Sequence, residues 1–268
     1  MASPSGIRNT LDILENQRLY CALPSSFNDP FECRVNISFK ASEDIKNKRA
    51  IEQILLKKPE LSKAEAIEQA PQWWKHLENK GSENAIRIVR DSFRVCSFSA
   101  RKPDDILMWS HYAGGHNGIC LEYRVTQEHH VELFARANEV NYQKELPKVN
   151  FYTSSVVEKM HAYVLTKSTR WTYEDERRII ISAIDEERFV SVPSSFLSTV
   201  ILGVSITEEN RRLVLDRIAP KVAAGTVRVL QAKVSSQAYE LVFSQGQLIK
   251  TQTASKSSER KSNDKQDL

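Results

Sequence analysis

Three short stretches hold residues whose types and spacing could do chemistry. The first, Leu107 to Gly118, gathers Trp109, Tyr112, His111, His116, Asn117 and three of the chain's eight glycines. A histidine near a helix end is either a cap for the helix carbonyls or a general base and substrate hydrogen-bonder. A metal set of His111, His116 and Cys120 would need His-x4-His-x3-Cys spacing, which fits no familiar zinc pattern. A Cys96 nucleophile paired with His111 lacks a third orienting group. The second stretch, Lys167 to Arg178, sets Glu174-Asp175-Glu176 between two aromatics, Trp171 and Tyr173, and Arg178. In extended backbone Glu174, Glu176 and Arg178 share one face. That face is either a surface salt-bridge ladder or a catalytic pair beside a tryptophan wall. Two such carboxylates suit stabilisation of a ribosyl oxocarbenium ion or activation of an acceptor. A third reading adds Asp29 and places Mg²⁺ among the three for a nuclease.

The remaining stretch is Ser25 to Glu32. Asn28-Asp29-Pro30 reads as a turn, its Asx side chain satisfying backbone amides. The functional alternative projects Asn28 and Asp29 into a cleft lined by Phe27 and Phe31. Period-two alternation then sets Glu32 on the face opposite Phe31.

These residues need a frame. The chain has 268 residues, is 41% hydrophobic and 27% charged, and carries a formal charge of +4. Such a charge is too small to argue for nucleic acid without a local cluster. Four cysteines, Cys21, Cys33, Cys96 and Cys120, sit beside apolar residues without CxxC spacing. They read as buried free thiols rather than a disulfide framework or a zinc site. No signal peptide is visible and no apolar run approaches ~18 residues, so a cytoplasmic protein without a membrane partner is expected.

Residues Leu11 to Gln17 predict a short helix, Arg18 to Leu23 a strand, and Phe31 to Phe39 an alternating, extended segment. From Ser42 to Arg94 the texture turns helical, with segments at 44–57, 63–69, 73–79 and 83–93 broken by Pro59, Pro71 and Gly81. Ser62 and Glu65 fit a capping box. This block predicts a helical subdomain inserted at about 42–94. Strands are expected at 95–99, 119–125, 139–142, 178–183, 188–192 (pairing with 178–183), 200–206, 227–234 and 239–243. Helices are expected at 104–113, at 154–166 with Val157, Met160, His161 and Val164 on one face, and at 208–223 capped by Thr207. Residues 251–268 offer almost nothing to bury and are expected to be a disordered tail behind a single domain at 1–250. With no βαβ rhythm and no glycine-rich phosphate loop, the fold class is α+β, with a mixed, mostly antiparallel sheet.

Taken together, the stretches resemble the bacterial family catalogued as domain of unknown function 2971. The residues that carry the likeness are Ser25, Phe27 to Glu32, Cys96 to Ser99, Met108-Trp109, His111-Tyr112-Ala113, Gly118, Lys167, Trp171, Tyr173-Glu174, Glu176 and Arg178. That family has no established general activity. A more distant likeness is to ADP-ribosyltransferases, which combine a Ser-x-Ser strand with a late Glu-x-Glu. Ser97-Phe98-Ser99 and Glu174-Asp175-Glu176 stand in that order. By this analogy NAD is the co-substrate, a protein or nucleic acid the acceptor, and toxin or phage-defence biology the setting. Glu176, Glu174 and His111 would then be catalytic. The cofactor would lie against Asn28, Ser99, Trp109, Tyr112, Trp171, Tyr173 and Arg178. The chain departs from the pattern at Met1 to Ile7, which supplies no strand and no histidine or arginine to grip NAD. A non-catalytic binding or sensor module, its aromatic cleft holding a nucleotide or a peptide end, is the alternative.

Overall fold

A computed structural model describes residues 4–124, 137–183 and 187–246; the expected tail at 251–268 lies outside them. Both helices and mixed sheets are present, with antiparallel pairing dominant, as an α+β chain requires. Among the described residues the expected sheet is divided into five small ones.

The best-buried layer is a four-stranded sheet of order β13-β12-β11-β4, formed by Leu241–Gln245, Arg228–Val234, Leu197–Leu202 and Ile119–Tyr123. Strands β11 and β12 run parallel, and the other two pairings are antiparallel. Alternation along β11 explains the layering. Val200 and Leu202 face helix α1 (Pro4–Asn16) and a helix at Glu208–Ala223, whose Val214, Leu215 and Ile218 fill that side. Ile201 points the other way, to Trp109 and Ala113 of helix α4 (Ile106–Tyr112) and the residue after it. Thr207 caps the 208–223 helix by accepting from the Asn210 amide, as expected. Helix α1 starts seven residues earlier than Leu11 because Ile7 adds to the same apolar contact.

A second sheet has order β3-β9-β5, from Phe93–Ser99, Glu176–Ser182 and Asn138–Glu139. Both edges of β9 are therefore taken. Strand β10 (Phe189–Ser191), expected beside β9, pairs instead with β1 (Arg18–Tyr20). Two parallel two-stranded pairs complete the β structure: β2 (Asn36–Ser38) with β7 (Lys148–Asn150), and β6 (Asn141–Gln143) with β8 (Thr166–Ser168).

The block at 42–94 is helical, but in three pieces rather than four: the expected breaks near Pro59 and at Gly81 are present and the one at Pro71 is not. Helix α2 spans Glu43–Lys57, and α3 runs over Lys63–Ser92 straight through Pro71. Only Gly81 leaves helical geometry, at φ 71°, a conformation that costs glycine least. The Ser62–Glu65 capping box is present. Helix α5 (Val156–Val164) buries Ala162, Tyr163 and Val164, whereas Val157 and His161 lie outside its packed face. The 208–223 helix is α6.

The stretch expected to be extended at Phe31 to Phe39 is strand only at β2. Cys33 takes φ 57°, which breaks the alternation. Phe31 is consequently 63% exposed and Glu32 only 2%: the two lie on opposite faces as expected, but Glu32 is the one turned inward.

Candidate functional site

Glu174 does not lie in a strand. Residues Thr169–Glu174 form a tight 3₁₀ turn capped by Ser168, and Asp175 adopts the left-handed conformation at φ 45° before β9 begins. This turn still brings the Glu174 and Glu176 carboxylates together, around the Lys167 ammonium. Lys167 Nζ donates to Glu174 Oε2 at 2.5 Å and to Glu176 Oε2 at 3.2 Å. Arg178, two residues along the same face of β9, grips Glu176 with Nε at 2.9 Å and Nη2 at 3.0 Å. Its Nη1 reaches Glu32 Oε1 at 2.6 Å and the Val164 carbonyl at 2.6 Å, and Nη2 meets Glu32 Oε2 at 3.2 Å.

All five charged side chains are buried. Three carboxylates face two cations, joined by contacts that tie the Ser25–Glu32 stretch, α5, β8 and β9 into one network. The expected ladder is thus present at Glu176–Arg178, whereas Glu174 pairs with Lys167, and the whole lies in the interior rather than on the surface. Burial pushes the Glu176 carboxyl up, but Arg178 and Lys167 outweigh it and hold the group below the usual carboxylate range. Burial depresses Lys167, and Glu176 and Glu174 more than reverse this, so its ammonium is retained. Arg178 is raised in the same sense by Glu32 and Glu176.

Polar neighbours complete the network. The Tyr112 hydroxyl donates to Glu174 Oε1 and also hydrogen-bonds Asn28. The Glu176 amide donates to the Tyr142 hydroxyl at 2.8 Å, and Ser97 hydrogen-bonds the Glu176 side chain. Burial pushes the Tyr142 phenol up to about 12. The Ser99 hydroxyl donates to the Glu174 carbonyl at 2.6 Å, fixing the 3₁₀ turn to β3. Above Lys167 the Trp171 ring lies 4.7 Å from the ammonium. Trp171, Tyr173 and His111 pack ring to ring, with centroids 5.9 to 6.2 Å apart.

On the other side of Tyr112 and Ser97 lies a cleft of about 750 Å³ between β3 and β4. Ser97, Ser99, Arg101, Met108, Tyr112 and Leu121 contribute to its walls. Both strands present an open edge to it. Val95 exchanges both backbone hydrogen bonds with Ala22, so the N–H and C=O of Ser97 and Ser99 point the same way, away from β9. The Gly203 amide donates to the Gly118 carbonyl, which by the same alternation turns the backbone of Ile119 and Leu121 away from β11. Among the described residues no strand pairs with either edge. Arg101 and Lys102 are exposed at the rim, and Arg177 lines the wall. The glycine bend supports this wall: Gly114, Gly115 and His116 all have positive φ, and a Cβ on Gly203 would meet the His116 carbonyl at 2.3 Å.

The residues expected to share one cleft are therefore divided between two places. Glu174, Glu176, Arg178, Asn28, Trp171, Tyr173 and His111 gather in and over the ion network. Ser99, Trp109 and Tyr112 line the β3–β4 cleft. Trp109 is only 3% exposed, and its indole N–H donates to the Pro103 carbonyl at 2.5 Å, so it acts as wall rather than as a free stacking face. Asp29 does not reach the carboxylate pair. Its Oδ1 accepts from the Phe31 amide at 2.8 Å in an Asx turn, which removes it from the expected Mg²⁺ triad. Among the described residues no cluster of histidine, cysteine, aspartate and glutamate is arranged to hold a metal ion. Lys167, Glu32 and Ser97 carry the family likeness without a role assigned in the site, and Tyr142 is not singled out by the sequence. The signal for the first two was the oddity of Lys167 and Glu32 standing beside aromatic-rich turns.

Residues 108–179 match the family model described as "Protein of unknown function (DUF2971)". The matched segment runs from α4 through the glycine bend to the start of β9, and so contains Tyr112, Lys167, Glu174, Glu176 and Arg178. No curated protein and no solved structure matches the chain. Among the described residues no helix is long and apolar enough to cross a membrane.

Proposed function

We propose that this DUF2971-bearing chain is a binding module whose β3–β4 cleft takes an extended, acidic peptide segment as an added strand. The observation that carries this reading is the pair of edges at Ser97 to Ser99 and Ile119 to Leu121, which no strand among the described residues pairs and which face one cavity. Strand addition draws its affinity from main-chain hydrogen bonds, which such edges offer. Arg101 and Lys102 at the rim favour a negatively charged partner and speed its encounter. The buried ion network gives the cleft a stiff floor through Ser97 and Tyr112.

This reading also explains why the carboxylates make poor catalysts as they stand. Both oxygens of Glu174 and both of Glu176 are engaged by Tyr112, Lys167 and Arg178. A general base or an oxocarbenium stabiliser needs an oxygen facing the reacting atoms.

One observation favours the NAD-consuming alternative. Ser99 stands directly opposite Glu176 in the β3–β9 register, so the Ser-x-Ser and Glu-x-Glu motifs are cross-strand neighbours. Two assays separate the readings. A fluorescein-labelled alternating Glu-Val hexapeptide should raise polarisation on titration with the protein, and Lys102→Glu should weaken that binding. Nicotinamide release from NAD that vanishes in Glu176→Gln would replace the binding module with a transferase.

A further inference from the structure

We infer that Cys21 and Cys96 form a cross-strand dithiol that a hydroperoxide converts to a disulfide. The placement follows from backbone register. Ala22 and Val95 exchange both N–H···O=C bonds, at 2.9 and 2.8 Å, in an antiparallel bridge. The next pair outward, Cys21 and Cys96, is then a non-hydrogen-bonded pair, the antiparallel position at which Cα atoms come closest and both side chains leave on one face. That close spacing, ~4.5 Å, falls at the short end of the Cα range a disulfide spans. The two thiols do meet. Each perturbs the other's ionisation, and both sit in one apolar cluster with Leu19, Ile179 and Phe196.

The other two cysteines differ. Cys33 sits behind Glu32 and Cys120 on β4, and burial pushes their thiols up to about 12 and about 11. Neither has a thiol partner, and none of the four cysteines is joined in a disulfide. Cys21, in contrast, is held below the ordinary thiol range by the Cys96 side chain, with a smaller contribution from the Arg94 charge. Cys21 is fully buried, but Cys96 lines the β3–β4 cleft, which gives a small oxidant a route to the pair.

The chemistry balances without another reactant. The thiolate of one cysteine of the pair attacks one peroxide oxygen, the O–O bond breaks, and hydroxide leaves to become water with the thiol proton. The partner sulfur then displaces hydroxide from the resulting sulfenic acid, the S–S bond forms, and a second water leaves with the remaining thiol proton. Two thiols are oxidised and one peroxide is reduced. The product staples the segment after β1 to the base of β3 and closes the whole chain between them, including α2 and α3.

The test uses the full chain, reduced and then exposed to hydrogen peroxide beside glutathione as a control thiol. Remaining thiols are alkylated under denaturing conditions before peptide mapping. The expected result is a mass lower by two hydrogens, a single Cys21–Cys96 cross-linked peptide, alkylated Cys33 and Cys120, and reversal by dithiothreitol. The oxidised chain should also melt at a higher temperature than the reduced chain, since the cross-link constrains the unfolded state. The conservative Cys96→Ser variant should form no intramolecular disulfide. Four alkylated cysteines when glutathione is oxidised, or a disulfide that uses Cys33 or Cys120, would overturn the inference. Mapping of the unsubstituted chain decides the matter even if the serine variant fails to fold.

Discussion

The ion network and the cleft are separated by little more than Tyr112 and Ser97, yet they are built on opposite principles. In the network every carboxylate is buried and matched by a cation, and the residues come from segments as distant as Glu32 and Arg178. In the cleft the backbone edges meet no strand among the described residues, and the charges stand at the rim. The more catalytic-looking residues in the sequence are those committed to holding the fold. The surface that offers something to a ligand includes Ser97 and Ser99 of the Ser-x-Ser motif, but what it offers is their backbone, which no motif announces.

The sharpest way to break this contrast is at Arg178. Arg178→Met leaves Glu32 and Glu176 buried without their shared partner, a change that typically costs ~3–5 kcal/mol. Denaturant unfolding should show a loss of that order. A variant as stable as the parent would mean the network is ornamental. Glu176→Gln follows. It keeps shape and can still accept from Arg178, but it removes charge from both cations, with an expected loss of ~2–3 kcal/mol. A transferase in which Glu176 serves only chemistry would lose activity without that loss in stability.

The same network sets a pH window. Glu176 has its folded pKa depressed, so its contribution is full above the unfolded carboxylate value of ~4.3 and is lost as pH falls through the folded value. Lys167 has its folded pKa raised, so its contribution is full below ~10.4 and is lost as pH rises through the folded value. Urea unfolding at a series of pH values should therefore give a plateau between those limits and a fall on either side. In Arg178→Met the acid limb should flatten.

Smaller effects probe the boundary. Tyr112→Phe removes a hydrogen bond to a buried carboxylate, worth ~1–3 kcal/mol, and should soften the floor of the cleft. Lys102→Glu is the mildest, with stability within ~0.5 kcal/mol of the parent. Its effect should appear instead as slower association with the acidic hexapeptide and a weaker dependence on salt.

What could be read from the sequence tracks how local each feature is. The Ser62 capping box, the Thr207 cap and the closing β12–β13 pair depend on residues a few positions apart, and their signals were legible. The partner of β10 was not, because it depends on β9 having both edges occupied by strands far away in the chain. Glu32 lies opposite Phe31 as alternation expects, but it is Glu32 that is buried, because one left-handed residue, Cys33, interrupts the apolar face, and a non-glycine there leaves no signature. Pro71 was expected to end a helix, yet α3 continues through it. For the site, Glu174, Glu176 and Arg178 were grouped correctly, but their burial depends on Lys167 and Glu32 arriving from other elements. The cleft was invisible for the same reason: an open strand edge is a property of sheet order, which no single segment encodes.

The measurement that tests the account most directly is amide hydrogen exchange with and without the alternating Glu-Val hexapeptide. The account predicts rapid exchange at Ser97, Ser99, Ile119 and Leu121 in the free protein and protection there when the peptide is bound. Protection centred on Trp171, Tyr173 and Glu174, with those edge amides unchanged, would contradict it and return the ligand site to the carboxylates.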